Sequence, residues 1–397
     1  MIGKMTWTTP DGFLHRKSPG DQISHEVYLS LLDRKLEFHI NFVFGKGENK
    51  MNMGDERMTL KVGIVGIGNI GSIHASVYKE NPSVEIVAIC DIIESKANEA
   101  VSKFGGKAFY SVKEMLDSGL ELNLVSVCTK GEENGSEHFT PTMEILEAGI
   151  PVLGEKPISN NIEEGKQMVD LARSKKVPYA VNLNHRFTPA AERAKSWLEG
   201  DRLGKIHMIN MRMWINNPVE SSPWFHLRAL HPHSFDVIRY FCGDVRRVAA
   251  FMMKGEGRSI WSNTQIILEF ENGAIGNLVG SYDAGASYGL ELCEVVGSKG
   301  RFVLEDACEQ LTYYPRASIE TESYSHLGGM RAFPETFKSR INSFVDQLTS
   351  GVPYDQIDGS GDDALKAQLI IEAAIQSWET GSIVDVKDMA LISGGVQ

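Results

Sequence analysis

The sequence predicts an α/β protein in which a doubly wound parallel sheet is followed by a domain with a mainly antiparallel sheet. From Thr59 onward, short apolar segments such as LKVGIVGIG and VEIVAICD alternate with helix-like segments such as NIGSIHASVYKEN. This alternation is typical of a parallel sheet with helices on both faces. After AERAKSWLEGDRLG the strands become longer, alternate between polar and apolar residues, and are separated by turns such as ENGA and GSKG. That second pattern indicates an antiparallel sheet.

We expect three segments along the chain: an N-terminal extension over residues 1–58, a first domain over 59–185 and a second domain over 186–397. The extension is predicted to be an arm, or to lie outside the natural product if translation starts at Met51, Met53 or Met58. Two late helix-like segments, PETFKSRINSFVDQLTSG and DDALKAQLIIEAAIQSWETG, are expected to cover the second sheet or to pack back on the first domain.

Composition argues against several classes of protein. The net charge of −12, with no basic run to offset it, disfavours a nucleic-acid partner. No apolar stretch approaches the roughly 20 residues of a membrane-spanning helix, and the N-terminus lacks the basic-then-apolar order of a signal peptide. The five cysteines have no CxxC spacing, which favours a reducing compartment. We therefore expect a cytoplasmic protein that binds neither nucleic acid nor membrane.

A glycine-rich loop follows the first strand of the parallel sheet. Gly66, Gly68 and Gly71 have the G-x-G-x-x-G spacing, directly after a strand and at the start of a helix. The first glycine permits a tight turn, the second lets the backbone approach a pyrophosphate, and the third lets helix and strand pack closely. The helix N-terminus offers free N–H groups to phosphates. The loop therefore predicts a dinucleotide site, to which we also assign Asn69, Ile70, Thr129, His138 and Glu155.

Asp91 predicts which dinucleotide binds. It lies 20 residues beyond Gly71, at the end of the second strand, where a carboxylate accepts hydrogen bonds from a ribose 2′-hydroxyl. Its charge would repel a 2′-phosphate, and Ile92 and Ile93 follow it rather than an arginine. NAD is therefore favoured over NADP.

Lys156 follows a later strand of the first domain, within the segment PVLGEKPIS. The carboxyl end of a parallel strand is the edge where open α/β sheets bind their ligands. A lysine there, with its pKa lowered by burial, is suited to hydrogen-bond a substrate hydroxyl and to help remove its proton. Glu155 would orient this lysine, and Pro157 would restrict its backbone. We assign Lys156 to the cofactor site and to the catalytic site, with an ordinary surface lysine as the alternative.

The chain resembles the glucose-fructose oxidoreductase / inositol dehydrogenase / MocA family in five segments that occur in the same order. They are the glycine loop, AGIPVLGEKPIS, NLNHRFTPAAERAKSWLEGDRLGKI, HPHSFDVIRYF and EVVGSKGRFVLED, and the resemblance covers about residues 59–390. It implies a Rossmann domain followed by a domain with an open-faced, mainly antiparallel sheet. It also implies NAD(P)-dependent oxidation or reduction of sugars, polyols and related compounds, and association into homodimers or homotetramers through the sheet faces.

The segment HPHSFD contains the residue that we expect to accept a proton. Inositol-dehydrogenase-like members of the family have the pattern Asp-x-x-x-His-x-x-Asp, in which the histidine is the acid/base and the first aspartate assists it. His233 and Asp236 match this pattern, but Ala229 stands at the position of the first aspartate. His233 is therefore the predicted proton acceptor, working with Lys156 alone or with His231.

The same segment predicts a helix start and no metal site. Pro232 suits the first turn of a helix, which would put His231 near the N-cap. His231 is expected to pack or cap there, or to contact substrate, and Asp236 to be structural or to orient a neighbour. Histidines two residues apart do not share a helix face, and the sequence has neither an HExxH motif nor a cysteine cluster.

Further residues are predicted to lie near the substrate. Asn184 and Arg186 belong to a segment that borders the cofactor and substrate cleft in the family. Asn184 would bind a sugar hydroxyl or the nicotinamide ribose, with hydrogen bonding inside the interdomain turn as the alternative. Aromatic faces with a few polar groups suit sugar rings, which adds the candidates Trp214, Trp224, His226 and Arg228.

The sequence therefore predicts an NAD-dependent oxidoreductase that acts on a secondary alcohol of a sugar, cyclitol or glycoside. Two alternatives stay open. One is an enzyme that uses NAD transiently, for glycoside cleavage or internal redox, with no net production of NADH. The other is a non-catalytic regulator that senses a sugar or NAD on the same fold, because a fold does not fix a function.

Overall fold

The computed structural model describes residues 5–8, 14–17, 59–131, 133, 137–284, 290–308, 310–325 and 333–390. Residues 1–56 and 57–397 form two separate compact units. In the first unit, β1 (Met5–Thr8) pairs antiparallel with β2 (Leu14–Lys17). The three methionines at which a later start is predicted, Met51, Met53 and Met58, lie outside the described residues.

The second unit begins with strands and helices that alternate as the sequence predicts. In chain order they are β3 (Leu60–Val65), α1 (Asn69–Glu80), β4 (Val84–Cys90), α2 (Glu94–Phe104), β5 (Lys107–Phe109), α3 (Val112–Asp117), β6 (Leu124–Val127), α4 (Phe139–Glu147), β7 (Val152–Gly154), α5 (Ile162–Lys175) and β8 (Tyr179–Val181). The six strands form one parallel sheet in the order β5-β4-β3-β6-β7-β8. The predicted doubly wound fold is confirmed.

The strand order brings the predicted site residues to one edge of this sheet. After β3 the chain first builds outward through β4 and β5, and then returns to the other side of β3 with β6. Ligands of open α/β sheets bind at such a reversal, at the carboxyl ends of the strands. The glycine loop after β3, Thr129 after β6 and Lys156 after β7 lie at that edge.

A second, mixed sheet follows. A 3-10 turn (Asn184–Phe187) leads to α6 (Pro189–Glu199), β9 (Ile206–Trp214), α7 (Phe225–Cys242), β10 (Val245–Met253), β11 (Asn263–Phe270), β12 (Ile275–Ser281), β13 (Leu290–Gly297), β14 (Gly300–Glu305), β15 (Gln310–Pro315), β16 (Glu322–Ser325), α8 (Phe333–Thr349), a 3-10 turn (Tyr354–Gln356), α9 (Gly361–Thr380), β17 (Val384–Asp385) and α10 (Val386–Met389). Nine strands form the order β16-β15-β14-β13-β9-β12-β11-β10-β17. Every pair is antiparallel except β9 with β12, which confirms the mainly antiparallel sheet.

The two faces of this sheet differ. On one face, alternate residues such as Met211, Ile266 and Leu278 join the apolar residues of α7 in a buried core. On the opposite face, which we call the open face, the intervening residues include Phe251 and Ile267, whose exposed fractions are 71% and 52%. The period-two alternation in these strands thus buries one face and leaves apolar side chains of the other exposed.

The two long C-terminal helices pack differently. α8 places Phe337, Ile341 and Phe344 in a buried cluster with residues of the first sheet and of α1. α9 begins against the first domain through Ala364 and Leu365 and continues into the core of the second sheet. In the part of the chain that the structure describes, none of the helices combines the length and apolar character needed to cross a lipid bilayer.

Pro232 lies inside α7 and does not start it. The sequence predicts a helix start at this proline, but α7 begins at Phe225. A proline has no N–H, so the carbonyl of Arg228, four residues earlier, receives no helical hydrogen bond from it. The helix continues nevertheless because 16 of its 18 residues are buried, and tertiary packing outweighs the local cost of the proline. The prediction of an N-cap near His231 is therefore wrong.

The packing of α8 can be tested with Phe344→Ala. Phe344 is fully buried against the first sheet, so the loss of its ring should lower the free energy of unfolding by about 3–5 kcal/mol. Urea unfolding followed by tryptophan fluorescence measures this change. Lys338→Ala, on the same helix but 46% exposed, is the control and should stay within about 0.5 kcal/mol of the parent. Equal small losses in both variants would contradict the packing.

Candidate active site

The glycine loop between β3 and α1 is shaped by close backbone contacts. Gly66 has a φ of +84°, and a Cβ there would lie 2.7 Å from the backbone nitrogen of Thr129. A Cβ on Gly71 would lie 2.0 Å from the carbonyl oxygen of Gly66. A Cβ on Gly68, by contrast, meets no described atom within 4 Å. Gly66 and Gly71 therefore serve the fold, whereas Gly68 borders open space.

That open space fits the pyrophosphate of a dinucleotide. α1 begins directly after Gly68, and within the described residues no side chain caps its N-terminus. The first N–H groups, including those of Asn69 and Ile70, are thus left for a ligand. The first turn contains no acidic residue that would repel a phosphate, and the positive end of the helix dipole attracts one.

Asp91 is fixed beside this loop at the end of β4. One carboxylate oxygen accepts a hydrogen bond from the N–H of Ile67, and the other accepts one from the N–H of Ile93, both at 2.9 Å. Each carboxylate oxygen has a second lone pair. The side chain is therefore held in place and still able to accept hydrogen bonds from ribose hydroxyls.

His138 links the loops that follow β6 and β7. Its Nδ1 lies 2.8 Å from the carbonyl oxygen of Pro157, and its Nε2 lies 2.8 Å from the carbonyl oxygen of Thr129. The Thr129 hydroxyl in turn donates to the carbonyl of Glu137. Burial lowers the pKa of His138, although the two carbonyls oppose that shift. His138 and Thr129 thus shape the edge of the predicted cofactor site through the backbone of both loops.

Glu155 belongs to a buried polar network behind the site. Its Oε1 contacts Nε2 of His74 at 3.1 Å and accepts a hydrogen bond from the Asn182 amide. Burial alone would raise the pKa of Glu155, but the hydrogen bond and charge of His74 and the charge of Lys156 hold it below its usual value. The carboxylate also accepts from the backbone N–H of Lys156 at 3.2 Å. Glu155 therefore orients the backbone of Lys156, and no contact with the ammonium is seen among the described residues.

The Lys156 ammonium reaches across to the second domain. Its Nζ donates a hydrogen bond of 3.0 Å to the carbonyl oxygen of Ala229, in α7. Burial lowers the pKa of Lys156, and the nearby charge of Glu155 opposes that shift only in part. The family pattern has an aspartate at position 229. This chain instead offers Lys156 the backbone carbonyl of that residue.

His233 lies one helical turn after Ala229, on the same side of α7. Its ring stacks on that of His185, with centroids 4.3 Å apart and an interplanar angle of 10°. Within the described part of the chain, its Nδ1 is buried without a hydrogen-bond partner. Burial, His185, Lys156 and His231 together hold the pKa of His233 well below its ordinary value. The structure thus places the Lys156 ammonium on α7 one helical turn before His233.

His231 points to a different part of the core. Its Nε2 lies 3.0 Å from Nε2 of His226, and its Nδ1 lies 3.0 Å from the Ser234 hydroxyl. A Cβ on Gly280 would lie 2.3 Å from His231 Nε2, so the ring fills the space above a glycine of β12. Burial lowers the pKa of His226 to about 4. This placement fits the packing role left open for His231 and separates it from the Lys156 contact.

Arg186 forms ion pairs with three carboxylates. Its Nε donates to Asp236 at 2.8 Å, its Nη1 donates to Asp358 at 2.8 Å and to Asp363 at 3.2 Å, and its Nη2 also contacts Asp236. Each of its nitrogens is therefore already engaged. Arg186 joins the 3-10 turn to α7 and to the start of α9, which differs from the predicted contact with substrate and gives Asp236 its structural role.

Asn184 and Arg228 are also engaged within the protein. Asn184 is fully buried and donates to the Thr336 hydroxyl of α8. Arg228 donates to both carboxylate oxygens of Glu372, at 2.8 and 2.9 Å, and to Glu133 at 2.9 Å. These buried or half-buried contacts join the elements around the cleft, and the substrate contacts that the sequence predicts for both residues stay predictions.

The two tryptophan candidates lie outside the Lys156 contact. Trp214 lines a cavity of about 670 Å³ on the open face, together with Phe251 and Gln265. Its neighbour Met213 points the other way and contacts Ser234 of α7. Because successive side chains of a strand point to opposite faces, Trp214 faces away from His233. Trp224 precedes α7 and stacks on Trp261, with centroids 6.0 Å apart.

Three residues near the site are absent from the sequence predictions. His185 stacks on His233, Glu291 Oε1 lies within hydrogen-bond distance of His185 Nδ1 at 3.1 Å, and His74 supports Glu155. His185 stands between the two predicted residues Asn184 and Arg186, but a 3-10 turn sends the three side chains in different directions. Within the described residues no group of three or more histidine, cysteine and acidic side chains is placed to hold a metal ion.

Two family models match the chain. One, described as an oxidoreductase family with an NAD-binding Rossmann fold, matches residues 60–183. The other, described as a GFO/IDH/MocA C-terminal domain, matches residues 191–303. Together they account for more than half of the 397 residues, and the first identifies the parallel-sheet domain as an NAD-binding Rossmann domain.

Relatives and solved structures span both domains. Myo-inositol 2-dehydrogenase of Thermotoga maritima is 25% identical over 343 residues, which is 83% of this chain and 99% of that protein. An oxidoreductase from Agrobacterium radiobacter in complex with NAD⁺, L-tartaric acid and magnesium has a TM-score of 0.74 at 20% identity, covering 83% of this chain and 99% of that one. Levoglucosan dehydrogenase in complex with NADH and L-sorbose has a TM-score of 0.73 at 21% identity, covering 82% and 98%. The two structures show that the two-domain fold is shared.

The loop geometry predicts that one glycine substitution weakens NADH binding and that another lowers the stability of the protein. Gly68→Ala adds a methyl group only to open space, so the melting temperature should stay within about 1 °C while the affinity for NADH falls at least about tenfold. Gly71→Ala clashes with the Gly66 carbonyl and should lower the melting temperature by several degrees.

Thermal melting and NADH fluorescence titration measure the two effects. Ser76→Ala, at an exposed position of the same helix, is the control and should change neither quantity. NADH affinity that is unchanged in Gly68→Ala would place the pyrophosphate elsewhere.

Proposed function

This chain belongs to the GFO/IDH/MocA oxidoreductase family, and on that premise we propose that it is an NAD-dependent dehydrogenase of a sugar, cyclitol or glycoside, acting on a secondary alcohol. The observation that carries the proposal is the meeting of Lys156 and His233 at the carboxyl edge of the Rossmann sheet. Lys156 comes from the end of β7 and reaches α7 one turn before His233. A donor and a base close to one dinucleotide site suit the oxidation of an alcohol.

Lys156 would hold the reacting oxygen. An ammonium group is a strong hydrogen-bond donor, and the carbonyl of Ala229 keeps it turned toward α7 until a substrate oxygen takes the place of that carbonyl. Its positive charge stabilises an oxygen that is losing its proton. The hydrogen bond from the Lys156 backbone N–H to the Glu155 carboxylate fixes the point where the Lys156 side chain leaves the backbone.

His233 would accept the hydroxyl proton. With its pKa held below the ordinary value, the ring is neutral at neutral pH and has a free lone pair for a proton. Bound NAD supplies the hydride acceptor. In the direction of reduction, the protonated His233 would return the proton to the same oxygen, and Lys156 would orient the carbonyl.

The preference for NAD over NADP is part of the proposal. Asp91 keeps its carboxylate beside the glycine loop through two backbone N–H groups. The next residue, Ile92, is 87% exposed and offers no charge to a 2′-phosphate. These features support a ribose with a free 2′-hydroxyl.

Association into a homodimer or homotetramer through the open face is also proposed. Support comes from the apolar side chains that this face leaves in solvent, since Phe251 and Met253 are 71% and 59% exposed. An uncovered apolar face of this kind is typical of an association surface. Size-exclusion chromatography with light scattering measures the assembly.

A substrate screen tests the proposed activity. Inositols, free sugars, sugar alcohols and glycosides are incubated separately with NAD and NADP, and the absorbance of the reduced cofactor is followed. Net NADH formation with a polyol or sugar supports a dehydrogenase. Consumption of a glycoside without NADH formation would support the transient use of NAD, and NAD binding with no turnover of any compound would support a regulator.

His233 and Lys156 can be tested by substitution once a substrate is known. His233→Asn removes the base and Lys156→Met removes the charged donor, so each should lower kcat by roughly 10²–10⁴-fold. The dissociation constant of NADH should change less than about threefold in His233→Asn. His207→Asn, at an exposed position of β9, is the control with unchanged turnover. Wild-type turnover in His233→Asn would reject its role as the base.

Asp91→Ser tests the cofactor preference. Serine keeps a hydrogen-bond acceptor for the loop but removes the charge, so the ratio of kcat/KM for NAD to that for NADP should fall at least about tenfold. Asp170→Ser, which removes an exposed charge from α5, should leave the ratio unchanged. An unchanged ratio in Asp91→Ser would show that another group selects the cofactor.

A further inference from the structure

A protonated His233 needs a negative charge that the sequence does not supply at the expected position. Residue 229 is alanine, and its backbone carbonyl faces the Lys156 ammonium. Asp236, three residues after His233, is paired with Arg186. The charge of Glu155 lies beside Lys156 and is bonded to His74. None of these three groups is placed to support the imidazolium.

His185 and Glu291 form a buried pair beside the His233 ring. Glu291, in β13, contacts His185 Nδ1 with both carboxylate oxygens, at 3.1 and 2.9 Å. His185 in turn lies flat against His233, 4.3 Å between centroids. All three side chains are nearly fully buried, with exposed fractions between 4% and 7%. The carboxylate thus lies one ring away from His233 in a region of low dielectric.

The backbone behind Glu291 is unusual. Asp306, Ala307 and Cys308 have φ values of +52°, +54° and +61°, a run of left-handed residues without a glycine. This turn places Cys308 Sγ 3.8 Å from Glu291 Oε1 and lets the Cys308 carbonyl accept from the Thr188 hydroxyl. Such strain persists only where the surroundings enforce it, and here the turn holds the Cys308 side chain against the Glu291 carboxylate.

We propose that Glu291, acting through His185, stabilises the protonated form of His233 and so takes the part of the aspartate missing at position 229. The proposal rests on the proposed function, because a dehydrogenase needs His233 as its base. His185 and Glu291 are positioning residues: neither is required to touch substrate. In the tautomer that carries a proton on Nδ1, His185 donates to Glu291 Oε1.

The other charged and titratable groups around His233 favour its neutral form or are already paired. The loop after β7 contributes Lys156, and α7 itself contributes His231 and the paired Asp236. The 3-10 turn contributes His185 and Arg186, which is bonded to aspartates. Burial, His185, Lys156 and His231 lower the pKa of His233. The proposed opposing charge is that of Glu291, which is bonded to His185.

Histidine NMR tests the proposal without any need for turnover. The ring carbon resonances of His233, assigned by their loss in His233→Gln, are followed from pH 8.5 downward in the full chain. Glu291→Gln keeps the shape of the side chain but removes its charge, so the protonated fraction of His233 at a given acidic pH should fall by roughly threefold to tenfold. An unchanged or larger fraction overturns the proposal, because Glu291 would then give no support to the imidazolium.

A second variant removes the same charge by another route. Glu291→Met also removes the charge but keeps a side chain of similar length beside His185. His233 should respond as it does to Glu291→Gln, and the variant replaces Glu291→Gln if that protein does not fold. Glu291→Asp, which keeps the charge, should restore at least half of the wild-type protonated fraction.

Glu294→Gln is the matched control. Glu294 lies on the same strand but on the other side of the sheet, where it pairs with Arg301 and Asn210. Glu294→Gln removes one negative charge on the side of the sheet that faces away from His233, so the His233 titration should stay unchanged. An equal shift in Glu294→Gln would mean that His233 responds to net charge alone and would overturn the proposal.

The kinetic readout separates this inference from the proposed function. With an active substrate, the acid limb of kcat/KM in Glu291→Gln should move to lower pH, in the direction of the NMR shift, while KM at high pH changes less than about twofold. If the His233 titration shifts in Glu291→Gln but no substrate is turned over, the proposed dehydrogenase activity is refuted, whereas the effect of Glu291 on His233 stands. Turnover with an unshifted acid limb and an unshifted NMR titration refutes the link alone.

Discussion

The hydrogen bond between the Lys156 ammonium and the carbonyl of Ala229 is the contact on which the site depends. It joins the carboxyl edge of the Rossmann sheet to the middle of α7. Pro232 leaves the preceding carbonyl, that of Arg228, without its usual helical donor, in the turn where this contact forms. Pro232 therefore helps to shape the turn that receives Lys156, although it does not begin the helix.

Buried polar groups fix both sides of this contact. On the Rossmann side, Glu155 is held by His74 and Asn182 and in turn holds the backbone of Lys156. On the side of α7, Arg186 holds Asp236, three residues beyond His233. Breaking one partner of a buried ion pair leaves an uncompensated charge at high cost. Arg186, a substrate-binding candidate in the sequence, thus holds the helix that carries His233.

The sequence predicted the parallel sheet, the glycine loop and the mainly antiparallel second sheet because each depends on local periodicity or on glycine at a fixed spacing. It did not predict which residues of NLNHRF face the cleft, since a 3-10 turn has no periodicity in so short a segment. Asn184 and Arg186 are directed into the protein, and His185 between them reaches His233. Glu291 is 106 residues further along the chain, and only the paired strands bring it to this histidine.

Lys156 and His233 are proposed to act on one substrate oxygen. A crystal structure with NADH and a polyol that the enzyme turns over measures this most directly. We expect Lys156 Nζ to leave the carbonyl of Ala229 and to contact the reacting oxygen, with the His233 ring within hydrogen-bond distance of the same oxygen. A complex in which Lys156 stays on Ala229 while the reacting oxygen contacts neither residue would contradict the claim.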